Sequence, residues 1–280
     1  MFTVSQQAGH TPVTPLGHVR AMLASVEGAR PPGVDLHFHL LPGVDDGPER
    51  MADSLELARA AVADGTGTVV ATPHVRPDFV TDVPSLGQLV DEVRIELRSE
   101  GIPLEVRCGG ELGHDMVGRL RQEELELIAQ GPPGGRWLLV EAPFTEMADD
   151  FDDALEELRD RGFGVVIAHP ERSADAALQD SMGLRRALAW GALAQVNAPS
   201  LTGGHGEDAE RAGFRLVAEG LAAVVGSDAH GPTRPPALGA AREAMLDRGI
   251  VAGRARALTL SSPRRLLSRG VPSPGEPVAA

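Results

Sequence analysis

From Gly33 onward the chain repeats one pattern seven times: a short apolar run, then a stretch with helical periodicity. The apolar runs cover residues 34–39, 67–73, 103–109, 136–142, 164–169, 193–197 and 222–227. Their length and near-continuous apolarity suit strands buried on both faces. Amphipathic stretches lie between them at Met51–Asp64, Leu86–Ser99, Asp149–Arg161, Leu184–Trp190, Asp208–Glu219 and Leu238–Arg248. Several stop at a glycine, the residue that most readily takes a left-handed cap. Strands alternating with helices imply an α/β fold of parallel β/α units. Seven units favour a closed or distorted barrel over an open sheet. Residues 1–32, rich in Gln, Thr, Pro and Gly, read as a tail or appendage with one short helix near Leu16–Val26. Residues 269–280, with Pro272, Pro274 and Pro277, read as a disordered tail.

The strand ends carry the chemistry. His37 and His39 end the first run, His74 follows the second, and Glu111 follows the third. Glu141, His169 and Asn197 end the fourth, fifth and sixth, and Asp228 and His230 follow the seventh. In β/α barrels the active site is built at this C-terminal rim. On an extended strand, residues i and i+2 share a face, so His37 with His39, and Asp228 with His230, are expected to grip one ion from one side. One such residue alone would be an ordinary polar group of the core. Seven strands delivering them to one rim describe a metal site.

The candidate ligands are His37, His39, Asp46, His74, Glu111, Glu141, His169, Asp228 and His230. Nine exceed the needs of one or two ions and suit three ions with three or four protein ligands each. Three divalent cations outweigh four carboxylates, even with a bridging hydroxide, which suits an anionic substrate. Imidazole and carboxylate without thiolate accept Mn, Fe or Zn. Arg172 and Arg234 lie just beyond the fifth and seventh runs, and guanidinium forks match phosphate oxygens.

Composition excludes several classes. A net charge of -14 is no nucleic-acid surface. All 26 basic residues are Arg, so no Schiff-base, phosphate-loop or metal-bridging Lys exists. The single Cys108 excludes a disulfide framework and fits a reducing, cytoplasmic setting. A thiol-dependent tyrosine phosphatase needs Arg at the sixth residue after its Cys, and that position is His114. No apolar stretch approaches a membrane span.

Val34-Asp35-Leu36-His37-Phe38-His39-Leu40-Leu41-Pro42-Gly43-Val44-Asp45-Asp46-Gly47 resembles the opening signature of the polymerase-and-histidinol-phosphatase (PHP) family. Within that family the chain resembles the capsule- and exopolysaccharide-associated tyrosine-protein phosphatases of the CpsB/YwqE type. Ala71-Thr72-Pro73-His74, Gly110-Glu111-Leu112, Leu139-Val140-Glu141, Ile167-Ala168-His169-Pro170-Glu171-Arg172, Gln195-Val196-Asn197-Ala198 and Ser227-Asp228-Ala229-His230 follow in the family's order. The resemblance implies a distorted (β/α)7 barrel of the PHP type over 33–268, holding three divalent metal ions, Mn first. It implies His37, His39, Glu111 and Asp228 on one metal, and Glu141 and His169 with bridging Glu111 on a second. Asp46, His74 and His230 would take the third, with Arg172 and Arg234 on the phosphate. The implied activity is hydrolysis of phosphotyrosine by a metal-activated hydroxide, with the phosphotyrosine tail of a bacterial tyrosine kinase as partner. The family's usual His after His74 is replaced by the segment Val75-Arg76-Pro77-Asp78, where Arg76 offers a further phosphate contact.

Other readings stay open from the sequence. A small-molecule PHP phosphoesterase such as a histidinol phosphatase has the same ligand set. The amidohydrolases share the His-x-His start, although the Asp228-x-His230 ending fits PHP better. A non-catalytic PHP interaction module would be expected to have lost ligands, and all nine positions are filled. No residue stands out as general acid; His114 and His205 read as solvent-exposed loop histidines.

Overall fold

The structure is a computed structural model that describes residues 32–174 and 181–271. Residues 1–31, where the sequence suggests a tail with a helix near Leu16–Val26, and residues 272–280 lie outside the described residues.

The fold is α/β, and every strand pair is parallel. Strands β1 (Gly33–Phe38), β2 (Thr66–Ala71) and β4 (Glu105–Cys108) form one sheet in the order β1-β2-β4. The second sheet runs β3 (His74–Val75), β5 (Glu111–Gly113), β6 (Trp137–Glu141), β7 (Gly164–Ala168), β8 (Leu193–Asn197) and β9 (Ala222–Gly226). Seven expected strands thus appear as nine, because two are interrupted. Pro73, which has no N–H to give a ladder, separates β2 from β3. Gly109 and Gly110 separate β4 from β5, and a Cβ on Gly109 would stand 2.5 Å from Val70. Backbone bonds cross these breaks, from Gly109 N to Ala71 O (2.9 Å) and from Glu111 N to Pro73 O (2.9 Å). Beyond β9, Asp228 N donates to His37 O and His39 N to Ala229 O, both at 2.9 Å.

The six expected helices are present within about two residues: α1 (Met51–Ala63), α2 (Leu86–Ser99), α4 (Asp149–Asp160), α5 (Met182–Ala189), α7 (Glu207–Ala218) and α8 (Leu238–Asp247). Four more escaped the sequence reading: α3 (Gln122–Ile128), α6 (Ala198–Leu201) and α9 (Ala252–Arg256) by their brevity, and α10 (Ser262–Arg269). No described helix is long and apolar enough to cross a membrane.

Period-2 alternation explains both the core and the site. Leu138 and Val140 of β6 join the large cluster that packs against the helices, with Val165 and Ile167 of β7. Trp137, Leu139, Val166 and Ala168 join a second cluster with Val34, Leu36, Val70, Leu193 and Leu266. Glu141 continues the Trp137–Leu139 face and Gln195 and Asn197 continue that of Leu193, so the second cluster's face ends in polar groups. At its other end the buried Trp137 ring N–H donates to Leu266 O at 3.0 Å, so its one polar atom is satisfied.

Candidate metal centre

All nine candidate ligands come together. His37, His39, Glu111 and Asp228 place one ligand atom each within 4.8 Å of one another, and so do His39, Asp46, His74 and His230. His74, Glu111 and Glu141 form a third group. His169 joins through Glu111, its Nε2 lying 2.9 Å from Glu111 Oε1. Glu111 Oε2 faces His74 Nδ1 (2.9 Å), His37 Nε2 (3.3 Å) and His39 Nε2 (3.4 Å), and the side chain is fully buried. Arg172 Nη1 reaches Asp228 Oδ2 (3.2 Å) and Arg234 Nη2 reaches Asp46 Oδ2 (2.5 Å). Both predicted phosphate contacts therefore border the cluster.

The expected extended Asp228–His230 pair is corrected by the structure. β9 ends at Gly226, and Asp228 has a left-handed φ of 51°. His169, just past β7, has φ 36°; among the described residues these are the two non-glycines in that region. Such conformations cost on the order of 1–3 kcal/mol each and persist where surrounding bonds impose them. Asp228 is pinned by its N–H to His37 O, and its Oδ2 accepts from Asn197 and Arg172. A turn rather than a strand thus aims this carboxylate.

Hydrogen-bond bookkeeping fixes where the protons are. Asp228 Oδ2 accepts Asn197 Nδ2–H (2.8 Å), so Asn197 Oδ1 is free to accept from Gln195 Nε2 (2.8 Å). Gln195 Oε1 must then accept the Nδ1–H of His37 (2.9 Å), which leaves a lone pair on His37 Nε2. His39 gives its Nδ1–H to Asp45 Oδ2 (2.7 Å), and His230 gives its own to Asp228 O (2.8 Å). Their Nε2 lone pairs also face the cluster. His37 Nε2 and His39 Nε2 stand 3.2 Å apart, and His230 Nε2 is 3.2 Å from Asp46 Oδ1. Glu111 Oε2, Asp228 Oδ1 and His230 Nε2 are buried without a hydrogen-bond donor. Acceptors converging on acceptors repel unless a cation stands among them.

Without a cation, the same crowding of acceptors draws protons onto the rings instead. Burial works against a charged His37, but Glu111 and Asp228 overcome it and push it up to about 9. His74 is likewise pushed up to about 11, burial being outweighed by Asp46 and Glu111. Glu111 and Asp228, despite burial, are held well below the usual carboxylate range, chiefly by His37.

The surroundings include residues that sequence reasoning missed. Asp45 holds His39 and accepts His74 N–H (3.0 Å), while its neighbour Asp46 faces His74 and His230. Buried Asp35 accepts the N–H of Ser227 (3.1 Å) and that of His37 (3.2 Å), tying β1 to the segment after β9. Buried Glu171 accepts Asn197 N–H (2.8 Å) and the Ser200 hydroxyl (2.7 Å). His205 is no free loop histidine: its Nδ1 lies 3.0 Å from Ser200 Oγ, and burial with nearby Arg172 pushes it down to about 4. His114 lies 3.5 Å from Asp150. Arg76, offered as a further phosphate contact, pairs with the candidate ligand Glu141 (3.0 Å) and with Asp78 (3.2 Å).

Known proteins resemble this chain in sequence and fold. Tyrosine-protein phosphatase YwqE of Bacillus subtilis is 33% identical over 198 residues, covering 70% of this chain and 77% of the relative. The putative tyrosine-protein phosphatase CapC of Staphylococcus aureus is 30% identical, covering 72% of this chain and 79% of its own. A structure from work on YwqE and on CpsB of Streptococcus pneumoniae, described as metal-dependent tyrosine phosphatases, superposes with a TM-score of 0.75 at 29% identity. It covers 88% of this chain and 100% of that one. The family model for capsular polysaccharide synthesis proteins CpsB/CapC matches residues 33–268. Signature, site geometry and family match agree, and the chain belongs to the CpsB/CapC family.

Proposed function

We propose that this chain is a metal-dependent protein-tyrosine phosphatase, a phosphoric monoester hydrolase acting in capsule or exopolysaccharide regulation. The observation that carries the metal reading is the convergence of three histidine lone pairs and two buried carboxylates on one another, with the outward Nδ1 protons already spent. This donor set fits divalent cations. Three ions, Mn in preference to Fe or Zn, would be held by His37, His39, Glu111 and Asp228; by Asp46, His74 and His230; and by Glu141 and His169 with Glu111. Bound, they supply Lewis acidity and bring the pKa of coordinated water toward neutrality. Arg172 and Arg234 each spend one nitrogen on a ligand carboxylate and would meet the phosphoryl oxygens with the rest of the fork. The same reading takes the two sheets as one distorted (β/α)7 barrel, supported by the bonds across both strand breaks and beside β1. We take the substrate to be the phosphotyrosine tail of a bacterial tyrosine kinase on the cytoplasmic side, in keeping with the relatives' names and the family's link to capsule synthesis. Turnover of a phosphotyrosine peptide against histidinol phosphate tests the activity. Preference for histidinol phosphate would move the assignment to a small-molecule phosphoesterase.

Two expected results concern the metal. Asp45→Ala removes the acceptor of both His39 Nδ1–H and His74 N–H and frees the ring tautomer, so metal affinity should fall by about 10–100-fold. A competition titration with a metal-binding dye measures this, and an unchanged affinity would show that Asp45 does not orient His39. Second, the metal-free protein carries raised His37 and His74, so both are protonated at pH 7. Their charge stabilises the metal-free fold fully below pH ~6.5, and for His37 that stability is lost as pH rises through about 9. Metal must displace those protons, so affinity should rise from pH 6 to 9 with proton release at pH 7. Calorimetric titration of Mn in two buffers of different ionisation heat reads this directly; binding heats independent of buffer would contradict it.

A further inference from the structure

Two exposed phenylalanines stand against the histidines of the cluster. The Phe79 ring lies 5.2 Å from that of His74 with planes 21° apart, and the Phe144 ring lies 5.9 Å from that of His169 with planes 5° apart. Yet Phe79 remains 37% exposed and Phe144 49%. His74 and His169 approach the two different oxygens of Glu111, each at 2.9 Å, so the phenylalanines flank one carboxylate from its two sides. Glu141, grouped with His74 and Glu111, helps wall a cavity of about 480 Å³, together with Arg76, Pro77, Asp78, Pro143 and Phe144. The Arg172 guanidinium lies over the Phe144 ring, 4.7 Å from its centre. A phosphate held by Arg172 therefore has a half-exposed aromatic ring next to it. Exposed aromatic surface of this kind, beside charged groups that orient a ligand, is what a binding pocket for a flat apolar group needs.

We propose that Phe144 forms an aryl subsite that receives the ring of the phosphate ester. This rests on the tyrosine-phosphatase reading and adds to it a residue that selects the ring rather than the phosphate. An aromatic ring packs on Phe144 edge-to-face or offset, as a linear alkyl ester cannot. Recognition of the leaving group then acts separately from its chemical lability.

The test uses the full-length, Mn-loaded protein with Phe144→Leu, Phe79→Leu and the double variant, in which bulk and apolarity are kept. KM and kcat are measured for a phosphotyrosine peptide and for p-nitrophenyl phosphate, alongside inhibition by inorganic phosphate and metal content. Phe144→Leu and the double variant should raise KM for both aryl esters by about 3–10-fold, while Phe79→Leu, whose ring does not line the cavity, should leave KM nearly unchanged. Inorganic phosphate has no ring, so its inhibition constant should rise clearly less than KM does, by no more than the lost Phe144 contact to Arg172 accounts for, and the metal content should stay at the wild-type value. Unchanged KM in Phe144→Leu would overturn the subsite. So would a parallel weakening of inorganic phosphate, because the rings would then act only by supporting Arg172 and the histidines. A metal-loaded wild-type protein inactive on both aryl esters would instead overturn the phosphatase reading, and the subsite with it.

Discussion

Exhaustive chelation abolishes phosphate release from a phosphotyrosine peptide, and Mn restores it best among divalent cations. The expectation follows from what is missing around the cluster without a cation. Glu111 is fully buried and serves four histidines, and its Oε2 has no hydrogen-bond donor. The nearest candidate for an alternative nucleophile, Cys108, is pushed up by burial and therefore less reactive. It also lacks the partner arginine of thiol-dependent phosphatases, since His114 stands in that place. Full activity in protein shown to be free of metal would remove the basis of the assignment.

Arg172→Ala and Arg234→Ala should each lower kcat/KM by ~10²-fold or more. A charge-assisted contact to a phosphoryl group in a transition state is worth about 2–4 kcal/mol when removed. Arg172 is preorganised by two contacts, the Asp228 carboxylate and the Phe144 ring, and Arg234 by Asp46. Because each pairs with a candidate ligand, metal content has to be measured on the same samples. Activity lost with metal retained supports the phosphate role. Near wild-type rates in both variants would reduce the arginines to partners of Asp228 and Asp46.

The strand ends were legible because parallel strands announce themselves as apolar runs, and the first polar residue past each run falls at the rim. His74, Glu111, Glu141 and His169 needed no further information. Asp45 and Asp46 show the limit: they are adjacent and chemically identical, and only the loop's path decides which faces His39 and which faces His230. Gln195 was visible within its motif, but its function depends on Asn197 and Asp228, which fix its amide across two strands. The left-handed turn at Asp228 replaced the expected strand geometry because His37 O and Asn197 hold the backbone and side chain together. Helix α10 was hidden for another reason. Its eight residues Ser262–Arg269 are mostly polar, and Leu266 alone among its large apolar side chains is fully buried.

The most direct measurement is a comparison of two peptides of one sequence, one bearing phosphotyrosine and the other phosphoserine, on the Mn-loaded protein. A phenol with a pKa near 10 leaves with less proton assistance than an alkyl alcohol, and the sequence singles out no general acid. The phosphotyrosine peptide should therefore be cleaved much faster, with rates across a series of aryl phosphates rising as the leaving-group pKa falls. Equal turnover of the two peptides, with a flat dependence on leaving-group pKa, would contradict a tyrosine phosphatase built on this site.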